Sequence, residues 1–127
     1  MGQPVGVIGV GVDAVDIDRF ARSLTRTPGM RTRLFTAQEL ADVAPRVDPV
    51  PALAARFAAR EATMKALGLG LGAFGFHDVS VERQPSGRPT LVVTGRARTL
   101  ADEAGVQAWH LSLTHTATVA IAVVTAS

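Results

Sequence analysis

Arg56-Phe57-Ala58-Ala59-Arg60-Glu61-Ala62-Thr63-Met64-Lys65-Ala66-Leu67 is the stretch around which the rest of this 127-residue chain is organised. Leu53, Phe57, Met64 and Leu67 recur at helical spacing, which predicts one long helix from about Pro51 to Leu67. Gly68, Gly70 and Gly72 stop it and supply a mobile or closely approached loop. Inside this apolar helix Glu61 and Lys65 stand four residues apart. Glu61 borders the apolar face, so its carboxylate is expected to be part-buried and to need a partner. Lys65 is the only lysine, set against twelve arginines. Its ammonium is a compact point charge with a mobile proton, which guanidinium does not supply. Read alone, the pair is equally an ordinary surface ion pair contributing about 0.2 to 0.5 kcal/mol.

Working outward, Val5 to Val12 alternates valine or isoleucine with glycine and predicts a first strand. Asp16 to Leu24 predicts a helix with Ile17, Phe20 and Leu24 on one side, closed by Pro28-Gly29. Thr36 followed by Glu39 is a capping box opening a short helix, which Pro45 and Asp48-Pro49-Val50-Pro51 end. Beyond the main helix, Asp78 to Glu82 and Pro89 to Val93 read as strands joined by a turn through Pro85-Ser86-Gly87. Thr94 to Ala104 reads as a helix, and Trp109 to Leu113 with Val119 to Val124 as a last pair of strands. The expectation is an α+β fold with a small, mostly antiparallel sheet packed with helices, and a single domain over residues 1–127.

Composition removes several classes of function. Cysteine is absent, which excludes disulfides and cysteine-ligated metals and suits a reducing, cytoplasmic setting. No apolar run approaches a membrane span, and Met1 to Val12 has neither the basic start nor the cleavage site of a signal peptide. The net charge of +2 gives no general argument for a nucleic-acid partner. The charge is unevenly placed, however. Arg19, Arg22, Arg26, Arg31 and Arg33 follow one another with no acid after Asp18, and the first three share one helical face. Such a stripe is either a solvated face or a dock for an acidic partner.

Three segments carry candidate chemistry. Gly9-Val10-Gly11-Val12-Asp13 is a glycine-rich strand ending in an acid, with little bulk to hinder a ligand's approach to the backbone. The third glycine of a dinucleotide-binding turn is missing. Asp13 is either a helix cap or half of a carboxylate pair with Glu61, and such a pair suits Mg²⁺, which takes one or two protein carboxylates and fills its other positions with water and phosphate. In the main helix, Glu61 has Mg²⁺ or Lys65 as candidate partners. In Trp109 to Thr116, Ser112 lacks the elbow of a serine nucleophile, whereas His115, flanked by Thr114 and Thr116 at a strand end, is placed to hold a phosphate. The three histidines have no zinc-ligand spacing.

Taken together, Gly11-Val12-Asp13-Ala14-Val15-Asp16-Ile17-Asp18-Arg19, Arg33-Leu34-Phe35-Thr36-Ala37-Gln38-Glu39-Leu40, Arg56 to Gly68 and Leu111-Ser112-Leu113-Thr114-His115-Thr116 closely resemble the holo-acyl-carrier-protein synthase family of 4'-phosphopantetheinyl transferases. The resemblance runs over nearly the whole chain. The central Arg-Phe-Ala-Ala-basic-Glu-Ala-x-x-Lys-Ala block is its specific part.

The resemblance implies transfer of 4'-phosphopantetheine from coenzyme A to a serine of an apo acyl carrier protein, leaving adenosine 3',5'-bisphosphate. By the same resemblance Asp13 and Glu61 are Mg²⁺ ligands. Glu61, directly or through a metal-bound water, accepts the serine proton, and Lys65 stabilises or protonates the departing phosphate. Arg56, Lys65, His115 and Thr116 match positions associated with coenzyme A, and Arg19, Arg22 and Arg26 fit docking to the acidic helix of the carrier. Short members of the family assemble as trimers with active sites between subunits, which implies a homotrimer here. Two departures stand out. Arg60 replaces a usual lysine, which would alter coenzyme A affinity if that residue contacts phosphate, and Asp16 replaces a frequent glutamate, which puts any third-ligand role in question. Pro45 to Pro51 is also unusually rich in proline. The competing readings are a non-catalytic carrier-binding module and a Mg²⁺-dependent hydrolase of coenzyme A.

Overall fold

The computed structural model describes residues 6–127, so Val5, where the sequence starts the first predicted strand, lies outside the described residues. The elements run β1 Gly9–Asp16, α1 Ile17–Arg26, α2 Met30–Leu34, α3 Ala37–Val43 and α4 Val50–Ala66. A 3-10 turn at Phe76–Asp78 follows, then β2 Val79–Arg83, β3 Pro89–Val93, α5 Gly95–Glu103, β4 Trp109–His115 and β5 Val119–Ala126. The strands form one sheet in the order β1-β5-β4 and a β2-β3 hairpin, with every pairing antiparallel. The α+β architecture is the one expected.

Helix α4 is the hub. The sequence predicts a single apolar stripe, but most of the helix circumference is buried, because β1 and β5 cover one side and α1 and β2 pack on others. Its alanines make that possible by letting backbones come close. Gly9 and Gly11 of β1 meet this surface directly: a Cβ on either would lie 1.8 Å from the carbonyl oxygen of Ala66 or Ala62. The glycines that the sequence suggests leave room for a ligand leave room for a helix instead. Pro51 sits in the first turn of α4, where its missing N–H breaks no bond.

Other boundaries differ from expectation for local reasons. β1 continues past Val12 to Asp16, since Asp13 and Val15 stay in register with Ala122 and Ala120 of β5. Asp16 ends the strand and caps α1, its Oδ1 accepting from the Arg19 backbone N–H at 2.8 Å. Helix α2 is too short to show a period in sequence, and it starts from Gly29 at φ 84, a left-handed conformation that glycine adopts without strain. The Thr36–Glu39 capping box forms as predicted at the start of α3. Ile17, Phe20, Leu24, Leu34, Phe35, Val43 and Leu53 make the largest apolar cluster, under α1 to α4. Among the described residues no helix is long and apolar enough to cross a membrane.

Candidate active site

Asp13 lies on the face of β1 that packs on α4, two residues beyond Gly11, and this brings it to Glu61 and Lys65. Lys65 Nζ donates to Asp13 Oδ1 at 3.1 Å and to the Val12 carbonyl at 3.0 Å. The pair is unevenly buried, with the Lys65 side chain 54% exposed and that of Asp13 17%. Lys65 thus bridges to the strand carboxylate, not to Glu61, its helical neighbour by spacing. Glu61 Oε1 is buried and finds no hydrogen-bond partner. Burial pushes the Glu61 carboxyl above its ordinary value, the Asp13 charge adds to the rise and Lys65 opposes it.

A buried carboxylate oxygen without a donor, beside a second carboxylate that already holds a cation, is a hard-oxygen donor set suited to a divalent ion. Among the described residues no third His, Asp or Glu joins them as a metal-binding group. Asp16 is nearby on the same cleft but engaged as the α1 cap. The cleft, of about 550 Å³, is lined by Asp13, Glu61, Arg19 and the apolar Phe20, Phe57 and Phe76. Arg22 and Arg26 follow Arg19 along α1 and are exposed, as the predicted stripe requires.

Arg56 and His115 fall elsewhere. They line a separate cavity of about 300 Å³ with Arg46, Arg83 and Thr114, and this cavity shares no lining residue with the carboxylate cleft. Arg56 is buried, its Nη1 donates to the Ala52 carbonyl at 3.2 Å, and its Nε has no partner. Burial lowers the Arg56 pKa, the Glu39 charge opposes this, and Arg46 and Arg83 reinforce it. Three guanidiniums and an imidazole around one small space make an anion site. Thr116 is not on the cavity wall. Its Oγ1 accepts from the Thr118 and Val119 backbone N–H groups at 3.2 and 3.1 Å and so builds the β4–β5 turn.

Arg60 contacts no open space at all. It is fully buried and ion-paired with Glu39, its Nε donates to the Phe76 carbonyl at 2.8 Å, and its guanidinium lies 5.1 Å from the Phe35 ring centroid. The departure from the usual lysine is therefore internal, and the phosphate contact raised from the sequence is not made. Arg46 and Arg83 were not singled out in the sequence, where one lies in a proline-rich connection and the other at a strand end with no motif around it. Glu39 was legible only as a cap.

Residues 9–124 match the model of a family described as the 4'-phosphopantetheinyl transferase superfamily. The chain is 50% identical over 122 residues to a holo-[acyl-carrier-protein] synthase of Streptomyces avermitilis, spanning 96% of this chain and 98% of the relative. Among solved structures, the holo-[acyl-carrier-protein] synthase from Neisseria meningitidis superposes with a TM-score of 0.87 at 29% identity, over 96% of this chain and 99% of that one. The Helicobacter pylori holo-[acyl-carrier-protein] synthase in complex with coenzyme A gives a TM-score of 0.79 at 27% identity, over 93% and 99% of the two chains.

Proposed function

The chain belongs to the 4'-phosphopantetheinyl transferase superfamily and moves the phosphopantetheine arm of coenzyme A onto a serine of an apo acyl carrier protein, and we propose that Asp13, Glu61 and Lys65 carry this reaction. The observation that carries the assignment is the unpartnered, buried Oε1 of Glu61 beside the Lys65–Asp13 ion pair. Asp13 and Glu61 would hold Mg²⁺, which when bound neutralises diphosphate charge that otherwise repels a nucleophile. The carrier serine oxygen forms a new bond to the phosphorus bearing the pantetheine arm, and the bond from that phosphorus to the oxygen bridging the adenosine side breaks. Glu61 takes the serine proton. Lys65, already exposed and able to swing from Asp13, donates to the oxygen of the departing adenosine 3',5'-bisphosphate.

The arginine cavity takes the phosphate of coenzyme A that does not react, its 3'-phosphate. Arg46, Arg56 and Arg83 supply fork-shaped donors and His115 a further one. Arg19, Arg22 and Arg26 dock the acidic helix of the carrier next to the cleft, with Arg19 on its wall.

The reading takes residues 1–127 as one transferase domain working as a homotrimer in the cytoplasm. Two features support association. The outward face of the β1-β5-β4 sheet carries Val10 and Val12, 55% and 51% exposed, in register beside Thr125 and Val123 of β5. The two candidate half-sites also lie apart within one chain, so a second copy can bring them together. Light scattering should give a mass three times the 13.3 kDa of the chain.

The direct test is to incubate the protein with coenzyme A, Mg²⁺ and an apo acyl carrier protein and to weigh the carrier. A gain of about 340 Da, lost on chelation and lost in folded Asp13→Ala and Glu61→Ala variants, is expected. Wild-type transfer by either variant would end the site assignment. Carrier binding without mass gain would instead favour a binding module, and release of adenosine bisphosphate without carrier a hydrolase.

A further inference from the structure

Glu39 has a completely buried carboxylate that is satisfied on both oxygens. Oε1 accepts from the Thr36 backbone N–H at 3.0 Å, from the Thr36 hydroxyl at 3.3 Å and from Arg60 Nη2. Oε2 accepts from Arg60 Nη1 at 2.9 Å and from the Val81 backbone N–H at 3.0 Å. One side chain thereby joins α3, where it resides, to α4 through Arg60 and to β2 through Val81. Arg60 extends the tie, its Nη1 also donating to the Arg56 carbonyl at 3.2 Å.

Those three segments are the ones that supply the arginines of the anion cavity. Arg46 follows α3 by three residues, Arg56 is one turn before Arg60 on α4, and Arg83 is two residues after Val81 at the end of β2. With no anion between them the three guanidiniums repel one another, so their spacing depends on what holds the segments. Glu39 is also the carboxylate whose charge most offsets the burial of Arg56. We infer that Glu39 is a positioning residue for coenzyme A: it never touches the ligand, but it sets the mutual spacing of Arg46, Arg56 and Arg83 and so the preference for a 3'-phosphorylated substrate. Arg60, with its two-pronged grip, suits this role better than a lysine would, whose ammonium cannot hold both Glu39 oxygens and the Phe76 carbonyl in one fixed plane.

The inference rests on the proposed reading of the cavity, and the two can fail separately. The experiment is to measure transfer with coenzyme A and with 3'-dephospho-coenzyme A, taking the ratio of kcat/KM values, for the wild type and for Arg83→Ala, Glu39→Gln and Arg60→Lys. A wild type that does not distinguish the two substrates overturns the cavity reading. Given a wild-type preference that Arg83→Ala abolishes, Glu39→Gln is expected to lower the ratio about tenfold, through a raised KM for coenzyme A alone, the scale of a sub-ångström misplacement. A ratio unchanged in Glu39→Gln, whatever its melting temperature, overturns the inference, because a purely structural role would weaken both substrates alike. Should Glu39→Gln fail to fold, Arg60→Lys decides. It keeps the charge pair but loses the fork, so a fall of about threefold supports the inference and an unchanged ratio refutes it.

Discussion

Replacing Gly11 by alanine tests the link between fold and site most directly. The added Cβ would lie 1.8 Å from the Ala62 oxygen, 2.7 Å from its carbonyl carbon and 2.8 Å from the Ala66 nitrogen. A carbon–oxygen contact normally rests near 3.3 Å or more, so β1 and α4 must part by about 1.5 Å. All three obstructing atoms are backbone, and no rotamer can relieve them. Overpacking of this kind costs about 1 to 3 kcal/mol, and here the upper end applies. In a chain of this size that is a fall in melting temperature of roughly 10 °C. Asp13 is two residues along the same face and Glu61 is adjacent to Ala62, so the gap between the carboxylates widens by a similar distance. A displacement of about 1 Å at reacting groups is worth roughly a hundredfold in rate. Calorimetry with and without Mg²⁺, together with turnover on apo carrier, measures both effects, and Gly70→Ala is the control because nothing lies within 4 Å of its added Cβ. If Gly11→Ala melts within about 2 °C of the wild type and keeps its turnover, the account of β1 as a strand pressed onto α4 to place Asp13 is wrong.

Three further outcomes are expected. The pKa of Glu61 is raised in the folded state, so the folded protein binds more protons there than the unfolded chain, and stability without metal falls as pH rises through the carboxylate range. Glu61→Gln should therefore melt higher than wild type at neutral pH in chelator. The gap should close on acidification below that range, and Mg²⁺ should raise the melt of the wild type only; an equal gap at acidic pH would contradict the burial argument. Lys65→Arg should transfer poorly despite unchanged charge, since a guanidinium is a larger planar group that does not give up a proton as the ammonium does, and wild-type kcat in this variant would show that charge alone suffices. Arg22→Glu with Arg26→Glu should lower kcat/KM for the carrier by at least tenfold at low salt and less at high salt, leaving the KM for coenzyme A unchanged. Loss that is independent of salt would point to damage other than lost attraction.

How much was legible depended on whether a signal was local. The capping box at Thr36–Glu39, the proline in the first turn of α4 and the helix stop at Gly68 are each decided within a few residues and stand as expected, whereas nothing lies within 4 Å of a Cβ added at Gly68, Gly70 or Gly72, so the loop is not a closely approached one. The β2-β3 hairpin around Pro85-Ser86-Gly87 is a local matter too. The extent of β1 was not, because Asp13 and Asp16 look like strand breakers until β5 is seen in register beside them. Nor was the setting of Arg60, whose partners Glu39 and Phe76 lie 21 and 16 residues away.

The sequence by itself determined the classes of element, the α+β architecture and the residue types from which a carboxylate-and-ammonium centre is made, because periodicity, caps and motif spacing act over one or two turns. Only the tertiary structure decided which of those residues meet. It paired Lys65 with Asp13 across 52 residues, left one oxygen of Glu61 buried and unpartnered, and withdrew Arg60 into the interior. It also drew Arg46 and Arg83 to Arg56 and His115 while leaving Thr116 in a turn. The physical reason is that burial and charge neighbours belong to a position in space: the glycine and alanine surfaces of β1 and α4 bring backbones close enough to set them, and nothing in the order of residues states those distances.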